Sequence, residues 1–279
     1  MHCFRKNFFH MKLVNVLAAS LFVLAFAFVG CTSGEDIGFT PAVVDGNQAL
    51  PQGGSYSRMI SVGDFLYAAS GEELVTFNIS NDRAVELSRD ALSVEIENLF
   101  HDAGRLFVGS STHMAIYSLE DGLPFLRDRF DYSNLPGIGL QTCDPVIARD
   151  DVAYATLYID TRVFDPCGRA DQVELLAAFD ISDISNIQPI RTYEVPSPRG
   201  LSLDGDLLIL GNHEGGFTVF DATDPANLQQ LFRNTQDAAY DVIAGDNLLT
   251  VVNATEVIQF DYSNPRDVVE LSRFPLPRT

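Results

Sequence analysis

The feature that most constrains this chain is an internal repeat of about 40 residues, which occurs five times between residues 55 and 275. Each unit has a polar turn followed by two apolar residues. One of these two residues marks the equivalent position in each of the five units. These residues are Leu66, Leu106, Ala153, Leu208 and Leu248. A repeat of this length buries its apolar face only by packing on its neighbours. The chain is therefore expected to form a modular array.

A second landmark in each unit is an aromatic residue that ends an apolar run and precedes a turn rich in Asp, Asn and Ser. The five aromatic residues are Phe77, Tyr117, Phe179, Phe220 and Phe260. Apolar residues alternate with polar ones around these landmarks, and no window of helical period is long enough for a stable helix. Four short strands in each of five units predict an all-β fold, a β-propeller of about five four-stranded blades.

The predicted blades cover about 55–92, 93–135, 136–196, 197–236 and 237–275. In the first blade we expect an inner strand over 55–60, then strands over 64–69 and 73–79, and an outer strand over 84–90. An Arg follows each aromatic landmark by about 12 residues, at Arg89, Arg129, Arg191, Arg233 and Arg273. This Arg falls on the outer strand, where a charge discourages pairing with another chain.

Several ordered motifs resemble the LVIVD-repeat proteins, a family of bacterial propeller lipoproteins. They lie at 178–183, 216–225 and 259–265, and 239–243 is similar to the family's penultimate strand. The segment from Cys143 to Val146 and the later Cys167-Gly168 are similar to its cysteine-bearing blade. The resemblance covers about 55–275 and implies a β-propeller outside the cytoplasm. It brings no established catalytic chemistry, and this chain departs from the family in its shorter length and its acidic, Lys-free domain.

The N-terminus has the layout of a secretory signal, since basic residues precede an uncharged apolar run at 13–30. The run ends in Phe28-Val29-Gly30-Cys31, which resembles the lipobox of bacterial lipoproteins and implies that Cys31 is lipidated. We expect a signal peptide at 1–30 and a flexible tether at 31–54. Glu35-Asp36 resembles the surface-export signal of Bacteroidetes-type lipoproteins. The prediction is a bacterial outer membrane lipoprotein, periplasmic or at the cell surface; the alternative is a non-lipidated signal or a single membrane anchor.

Two cysteines, Cys143 and Cys167, remain in the domain and lie in the unit that departs from the regular period. An exported protein with two such thiols is expected to pair them as a disulfide. The competing interpretation is a metal site, but the candidate histidines do not have the close spacing that metal ligands need. These histidines are His101, His113 and His213. We expect no metal and no cofactor.

The charge of the chain restricts its partners. Arg5, Lys6 and Lys12 precede Cys31, so residues 31–279 carry 15 basic and 38 acidic side chains, a net charge of −23. Binding to phosphate backbones or anionic headgroups requires clustered cations. We therefore expect no nucleic-acid partner, and contact with the membrane through the lipid anchor only.

Acidic turns after the aromatic landmarks have two interpretations. Asp180 and Asp183, like their counterparts in the next two units, place oxygens three residues apart. A calcium loop needs more converging oxygens than each turn offers, whereas an Asx turn explains the spacing through a hydrogen bond to the local backbone. No Gly-x-Ser-x-Gly motif, phosphate loop or dinucleotide fingerprint is present. The string from His213 to Gly216 is predicted to be a hairpin turn.

One set of residues is a candidate ligand site at the mouth of the propeller channel. Each blade has one charged residue just before or within its predicted inner strand: Arg58, Glu97, Asp144, Arg199 and Asp241. The alternative is that these groups pair with one another or are solvated. We predict a non-enzymatic binding or scaffold module for a protein or glycan. The second hypothesis is a secreted glycan-active hydrolase or lyase with carboxylates at the mouth.

Overall fold

The computed structural model describes residues 58–81, 83–135, 145–159, 173–213 and 215–277. They form five four-stranded antiparallel sheets, each built from four consecutive strands, and the described residues contain no α-helix. The all-β, five-bladed prediction is confirmed. Blade 1 contains β1 (Met59–Val62), β2 (Phe65–Ser70), β3 (Glu73–Asn78) and β4 (Val85–Ala91). Blade 2 contains β5 (Ile96–Asp102), β6 (Arg105–Ser110), β7 (His113–Glu120) and β8 (Leu123–Asp131).

The other three blades repeat this order, and one short 3-10 helix, Tyr132–Asn134, follows blade 2. Blade 3 contains β9 (Val146–Arg149), β10 (Val152–Ile159), β11 (Val173–Asp180) and β12 (Gln188–Glu194). Blade 4 contains β13 (Pro198–Asp204), β14 (Leu207–Asn212), β15 (Gly216–Asp221) and β16 (Gln229–Asn234). Blade 5 contains β17 (Asp241–Gly245), β18 (Leu248–Val252), β19 (Glu256–Asp261) and β20 (Val269–Pro275).

Two-residue turns join the first and second strands of each blade and contain residues with positive φ, such as Gly63 and Gly205. This backbone matches the right-handed twist of a hairpin. In blade 5 the turn residues Asp246 and Asn247 both have positive φ. The register then pairs Leu249, rather than Leu248, with the landmark Phe260. The sequence alignment was therefore one residue early in this unit.

A β-bulge recurs next to the aromatic landmark of every blade, where the third strand pairs with the outer one. The bulge places Arg89, Arg129, Arg233 and Arg273 at one equivalent position of the outer strand. Arg191 lies one position earlier, because it pairs with Ala178 instead of Ala177. Its guanidinium lies 5.2 Å from the ring of Tyr193 and donates to the Ala226 carbonyl of blade 4. All five arginines lie on outer strands, as the sequence predicts, but Arg191 is displaced by one position along its strand.

Blades pack face to face around one axis. The first strands of consecutive blades contact each other, β1 with β5, β5 with β9, β9 with β13 and β13 with β17, so they are the inner strands. Four clusters of buried apolar side chains fill the spaces between blades 1 and 2, 2 and 3, 3 and 4, and 4 and 5. Each cluster thus consists of side chains from two neighbouring blades.

Two details of the strand predictions need correction. The inner strand of blade 1 runs over Met59–Val62, whereas the sequence placed its end at residue 60. Among the aromatic landmarks, Phe179 is fully buried. Phe220 is only partly buried and packs against the cluster between blades 3 and 4. In blade 4 the fully buried aromatic residue is Phe217, three residues earlier. Within the part of the chain described, no helix is long and apolar enough to cross a membrane.

Candidate functional site

The candidate site is the end of the propeller at which the inner strands begin, here called the rim. Four of the residues selected from sequence lie there: Arg58 directly before β1, Glu97 in β5, Arg199 in β13 and Asp241 at the start of β17. Arg58 is exposed and the other three are partly buried. Asp144 lies outside the described residues. Each charge comes from a different blade, and strands hold Glu97, Arg199 and Asp241 in place.

The strand registers divide these residues into two rows. Ala69 donates its N–H to the Arg58 carbonyl, and Asp241 pairs with Val252 at the equivalent point of blade 5. Glu97 and Arg199 instead lie where the registers of β5 and β13 are interrupted, one residue earlier than this row. An interrupted register re-aims a side chain. A single ligand site shared by all four residues therefore stays a prediction.

Asn98, which the sequence analysis missed, occupies the position in blade 2 that Asp241 occupies in blade 5. Its side chain is fully buried and binds both polar groups of one residue in blade 3. The amide Nδ2 donates to the Val146 carbonyl at 2.7 Å, and Oδ1 accepts from the Val146 N–H at 3.1 Å. Aligning the inner strands by register, instead of by charge, would have found it. Asn98 ties blade 2 to blade 3 directly beneath the rim.

An aromatic pair was also missed. The rings of His213 and Tyr240 are stacked, with centroids 4.8 Å apart and an interplanar angle of 18°. His213 follows β14 and donates its backbone N–H to the Ser197 carbonyl, while the Tyr240 carbonyl accepts from the Gly200 N–H. These bonds place the pair beside Arg199 and Asp241, between blades 4 and 5. His213 is in the turn from β14 to β15, as predicted.

Backbone packing is tight at this corner of the rim. A Cβ added to Gly200 would overlap the side chain and the Cα of Asp241, so a glycine is needed where the two inner strands meet. The Asp241 Oδ1 accepts from the N–H of Val242 at 2.9 Å. At the other side of the rim, Arg58 lies 3.4 Å from Glu95 in an exposed ion pair. Exposed pairs of this kind contribute little to stability, so Arg58 can exchange Glu95 for a ligand at low cost.

The acidic turns are Asx turns. Asp180, Asp221 and Asp261 accept the backbone N–H two residues ahead, at 2.9, 3.0 and 2.8 Å. Hydrogen bonds from the side chain and backbone of Ser182 lower the pKa of Asp180, and Thr223 and Ser263 lower the pKa of the other two in the same way. No cluster of three or more His, Cys, Asp or Glu that could hold a metal ion occurs among the described residues.

Two of the three histidines are poorly placed as general bases. Burial lowers the pKa of the His101 and His113 side chains, and both lie on strands of blade 2. The third, His213, is partly buried in the stacked pair at the rim. Cys31, Cys143 and Cys167, with Glu214, lie outside the described residues, so lipidation and the disulfide stay predictions.

Comparison with known protein families finds no match, and comparison with curated protein sequences finds none either. Solved structures do match. The periplasmic gluconolactonase PpgL of Pseudomonas aeruginosa has a TM-score of 0.58 at 13% identity over 77% of this chain and 69% of that chain. A functionally unknown protein from Desulfotomaculum acetoxidans DSM 771 has a TM-score of 0.59 at 11% identity, over 81% of this chain and 71% of that chain.

BamB from Moraxella catarrhalis matches with a TM-score of 0.51 at 13% identity, over 78% of this chain and 65% of that chain, which is less than two thirds of its length. At these identities the likeness shows the fold alone. Together with the five radial sheets, it defines the class: this chain is a β-propeller protein of five four-stranded blades.

Proposed function

We propose that this protein is a lipid-anchored β-propeller of the LVIVD-repeat kind, located outside the cytoplasm at the bacterial outer membrane, that binds a protein or a glycan at the rim. The observation that carries the proposal is the cluster at the rim of blades 4 and 5, where Arg199 and Asp241 lie beside the stacked rings of His213 and Tyr240. Aromatic faces and charged groups held on rigid strands are typical of recognition surfaces.

The second candidate function, glycan hydrolysis, makes a specific demand on a carboxyl group at the rim. A glycan-cleaving enzyme needs one carboxyl with a raised pKa as its general acid. Hydrogen bonds stabilise the charged forms of five carboxyl groups and lower their pKa values: Glu86, Asp180, Asp221, Asp261 and Glu270. They lie in the Asx turns and in the outer-strand ion pairs of Glu86 and Glu270, away from the rim.

The rim can be tested by placing a photo-crosslinking amino acid at Tyr240 in cells that express the full chain. The matched control carries it at Asn247, an exposed residue of the turn at the opposite end of β17. We expect an adduct from position 240 and none from position 247, and a weaker adduct after Arg199→Glu. Protease treatment distinguishes a protein adduct from a glycan adduct. Equal labelling from both positions, or none from position 240, would contradict the rim as the binding site.

The anchor has a separate test. Cys31→Ser is expected to move the protein to soluble fractions or to leave an unprocessed precursor, because the lipid would no longer be attached. Cys3→Ser is the matched control and should change nothing. Unchanged processing and membrane partitioning of the Cys31 variant would count against the lipoprotein prediction without affecting the rim.

A further inference from the structure

The junction between blade 5 and blade 1 differs from the other four junctions of the ring. In a propeller the last blade faces the first. Leu66 and Ala68 lie on the side of β2 opposite Tyr67, which packs in the cluster between blades 1 and 2, so they face blade 5. Both are only partly buried. The equivalent pair is fully buried in every other blade: Leu106 and Val108, Ala153 and Ala155, Leu208 and Leu210, Leu249 and Val251.

Blade 5 has polar residues at the centre of the face that borders this junction. Thr250 lies on the side of β18 opposite Leu249, which packs between blades 4 and 5. It pairs with Gln259 of β19, and both are partly buried. This face therefore offers less apolar surface for packing than its counterparts. At the position of Thr250, directly after the landmark residue, the other blades have buried apolar or aromatic side chains: Tyr67, Phe107, Tyr154 and Ile209.

Buried clusters and hydrogen bonds join the other four pairs of neighbouring blades. The four apolar clusters lie between blades 1 and 2, 2 and 3, 3 and 4, and 4 and 5, and Leu66 and Ala68 belong to none of them. The junction formed by the faces of Leu66 and Thr250, here called the 5–1 junction, is therefore the most weakly packed. In the described part of the chain, side-chain hydrogen bonds cross the same four junctions, from Tyr67 to Gly122, Asn98 to Val146, Tyr193 to Pro225 and Tyr262 to Asp204.

We propose that the folded propeller opens locally at the 5–1 junction, so that blades 1 and 5 separate while the five sheets stay intact. Separating two blades costs the free energy of the apolar area that they bury against each other. The faces of Leu66 and Thr250 bury less of this area than their counterparts. No strand pairing has to break, because each sheet is formed within one blade. Global unfolding disrupts every junction and every sheet, so the local opening requires less free energy.

The rim residues Arg58 and Asp241 lie on the two sides of the 5–1 junction. Arg58 directly precedes β1 and Asp241 begins β17, the inner strands of blades 1 and 5. Opening therefore changes the distance between these two residues, whereas close backbone packing with Gly200 holds Asp241 next to blade 4. One part of the rim thereby adjusts to the width of a ligand. This consequence rests on the proposed binding function, but the opening itself does not.

Thiol labelling of the full chain measures the opening. Val75 pairs with Ala68 on the blade 1 face of the junction and is 2% exposed, so a cysteine at this position is protected while the junction is closed. Val108→Cys is the matched control for Val75→Cys, because Val108 is fully buried on the corresponding face of blade 2. Mass spectrometry of the alkylated peptides separates both positions from the native cysteines. We expect position 75 to react at least about tenfold faster than position 108.

The urea dependence of labelling distinguishes local opening from global unfolding. A local opening exposes little surface, so the labelling rate at position 75 should rise only slightly with urea. The rate at position 108 should follow the steep dependence of global unfolding, which urea denaturation of each variant measures separately. Equal labelling rates with the same steep urea dependence at both positions would overturn the proposal.

A variant that fills the 5–1 junction provides an independent test. Thr250→Ile combined with Gln259→Val gives blade 5 the pair that blade 4 has at these positions, Ile209 and Val219. The added apolar surface should slow labelling at position 75 by about tenfold and leave position 108 unchanged. Thr223→Ile, in an exposed turn of blade 4, is the control and should alter neither rate. An unchanged rate at position 75 in the filled variant would also overturn the proposal, whether or not the rim binds a ligand.

Discussion

Gly216 shows how strongly one backbone position can constrain a blade. Its φ of +75° lies in the left-handed region, and an added Cβ would overlap the carbonyl group of Asn234 on the outer strand. Both effects act against any side chain here. The hairpin from β14 to β15 therefore depends on glycine at this position.

We expect Gly216→Ala to lower the free energy of unfolding by about 2–3 kcal/mol, because backbone strain adds to the steric overlap. Gly245→Ala is the matched control, since a Cβ there meets nothing within 4 Å. Urea denaturation followed by circular dichroism measures both. A loss for Gly216→Ala no larger than that for Gly245→Ala would show that the hairpin relaxes without cost.

His113 is expected to make stability depend on pH. The side chain is 3% exposed, and burial lowers its pKa, assisted by the charge of Arg129 and opposed by that of Asp131. A lowered folded-state pKa means that the stabilisation is present above the unfolded value of about 6.5 and is lost as the pH falls through the folded value.

His113→Gln should therefore weaken the fall in unfolding free energy between pH 7 and pH 5. Burial also lowers the pKa of His101, so this residue should contribute to the pH dependence as well. A variant with both histidines replaced by Gln should have the flattest profile of unfolding free energy against pH. Urea titrations at both pH values give the difference. Parallel profiles for the wild type and His113→Gln would show that this ring does not titrate differently in the folded state.

At the scale of elements, side chains that cross from one blade to the next couple the sheets. The Asn98 side chain hydrogen-bonds both the N–H and the carbonyl of Val146, between blades 2 and 3. The Tyr262 hydroxyl donates to the carboxylate of Asp204, between blades 5 and 4. The Tyr67 hydroxyl donates to the Gly122 carbonyl between blades 1 and 2 at 2.8 Å. Such bonds align neighbouring blades in addition to the apolar packing between them.

We expect Asn98→Ala to lower the free energy of unfolding by about 2–4 kcal/mol, because it leaves the N–H and the carbonyl of Val146 buried without their partners. Asn81→Ala, at an exposed turn of blade 1, is the control and should change stability by less than about 0.5 kcal/mol. Chemical denaturation compares the two. Similar small losses would mean that water replaces the Asn98 side chain.

At the scale of the whole molecule, charge repulsion is expected to oppose folding. The region 31–279 carries a net charge of −23, and the ion pairs of the outer strands, such as Arg89 with Glu73 and Glu86, are exposed. Exposed pairs are worth about 0–1 kcal/mol each, whereas repulsion acts over the whole surface and is screened as the Debye length falls from about 10 Å at 0.1 M salt to 3 Å at 1 M.

The melting temperature should therefore rise as sodium chloride increases from about 0.05 M to 1 M. Differential scanning calorimetry of the mature chain measures the effect, and an uncharged osmolyte at matched osmolality controls for general exclusion effects. A melting temperature that falls steadily with salt would mean that the local ion pairs outweigh the net repulsion.

The sequence determined the number of blades, the order of their strands and most strand boundaries, because a repeat with period-two alternation and polar turns permits few other folds. It also placed Arg58, Glu97, Arg199 and Asp241 near the starts of inner strands. These features follow from local patterning.

Only the tertiary structure decided the features that depend on register and on neighbours. In blade 5 Gly245 ends β17 instead of opening the turn, so the landmark is Leu249. In blade 3 the outer strand has the register of blades 4 and 5, but its Arg follows the aromatic by 12 residues instead of 13, so Arg191 is displaced. His213 and Tyr240 stack only because blades 4 and 5 meet. Phe77 and Phe260 are equivalent in sequence, yet only Phe260 is fully covered. An alternating pattern records which side of a strand a residue occupies, but burial depends on which blade packs against that side.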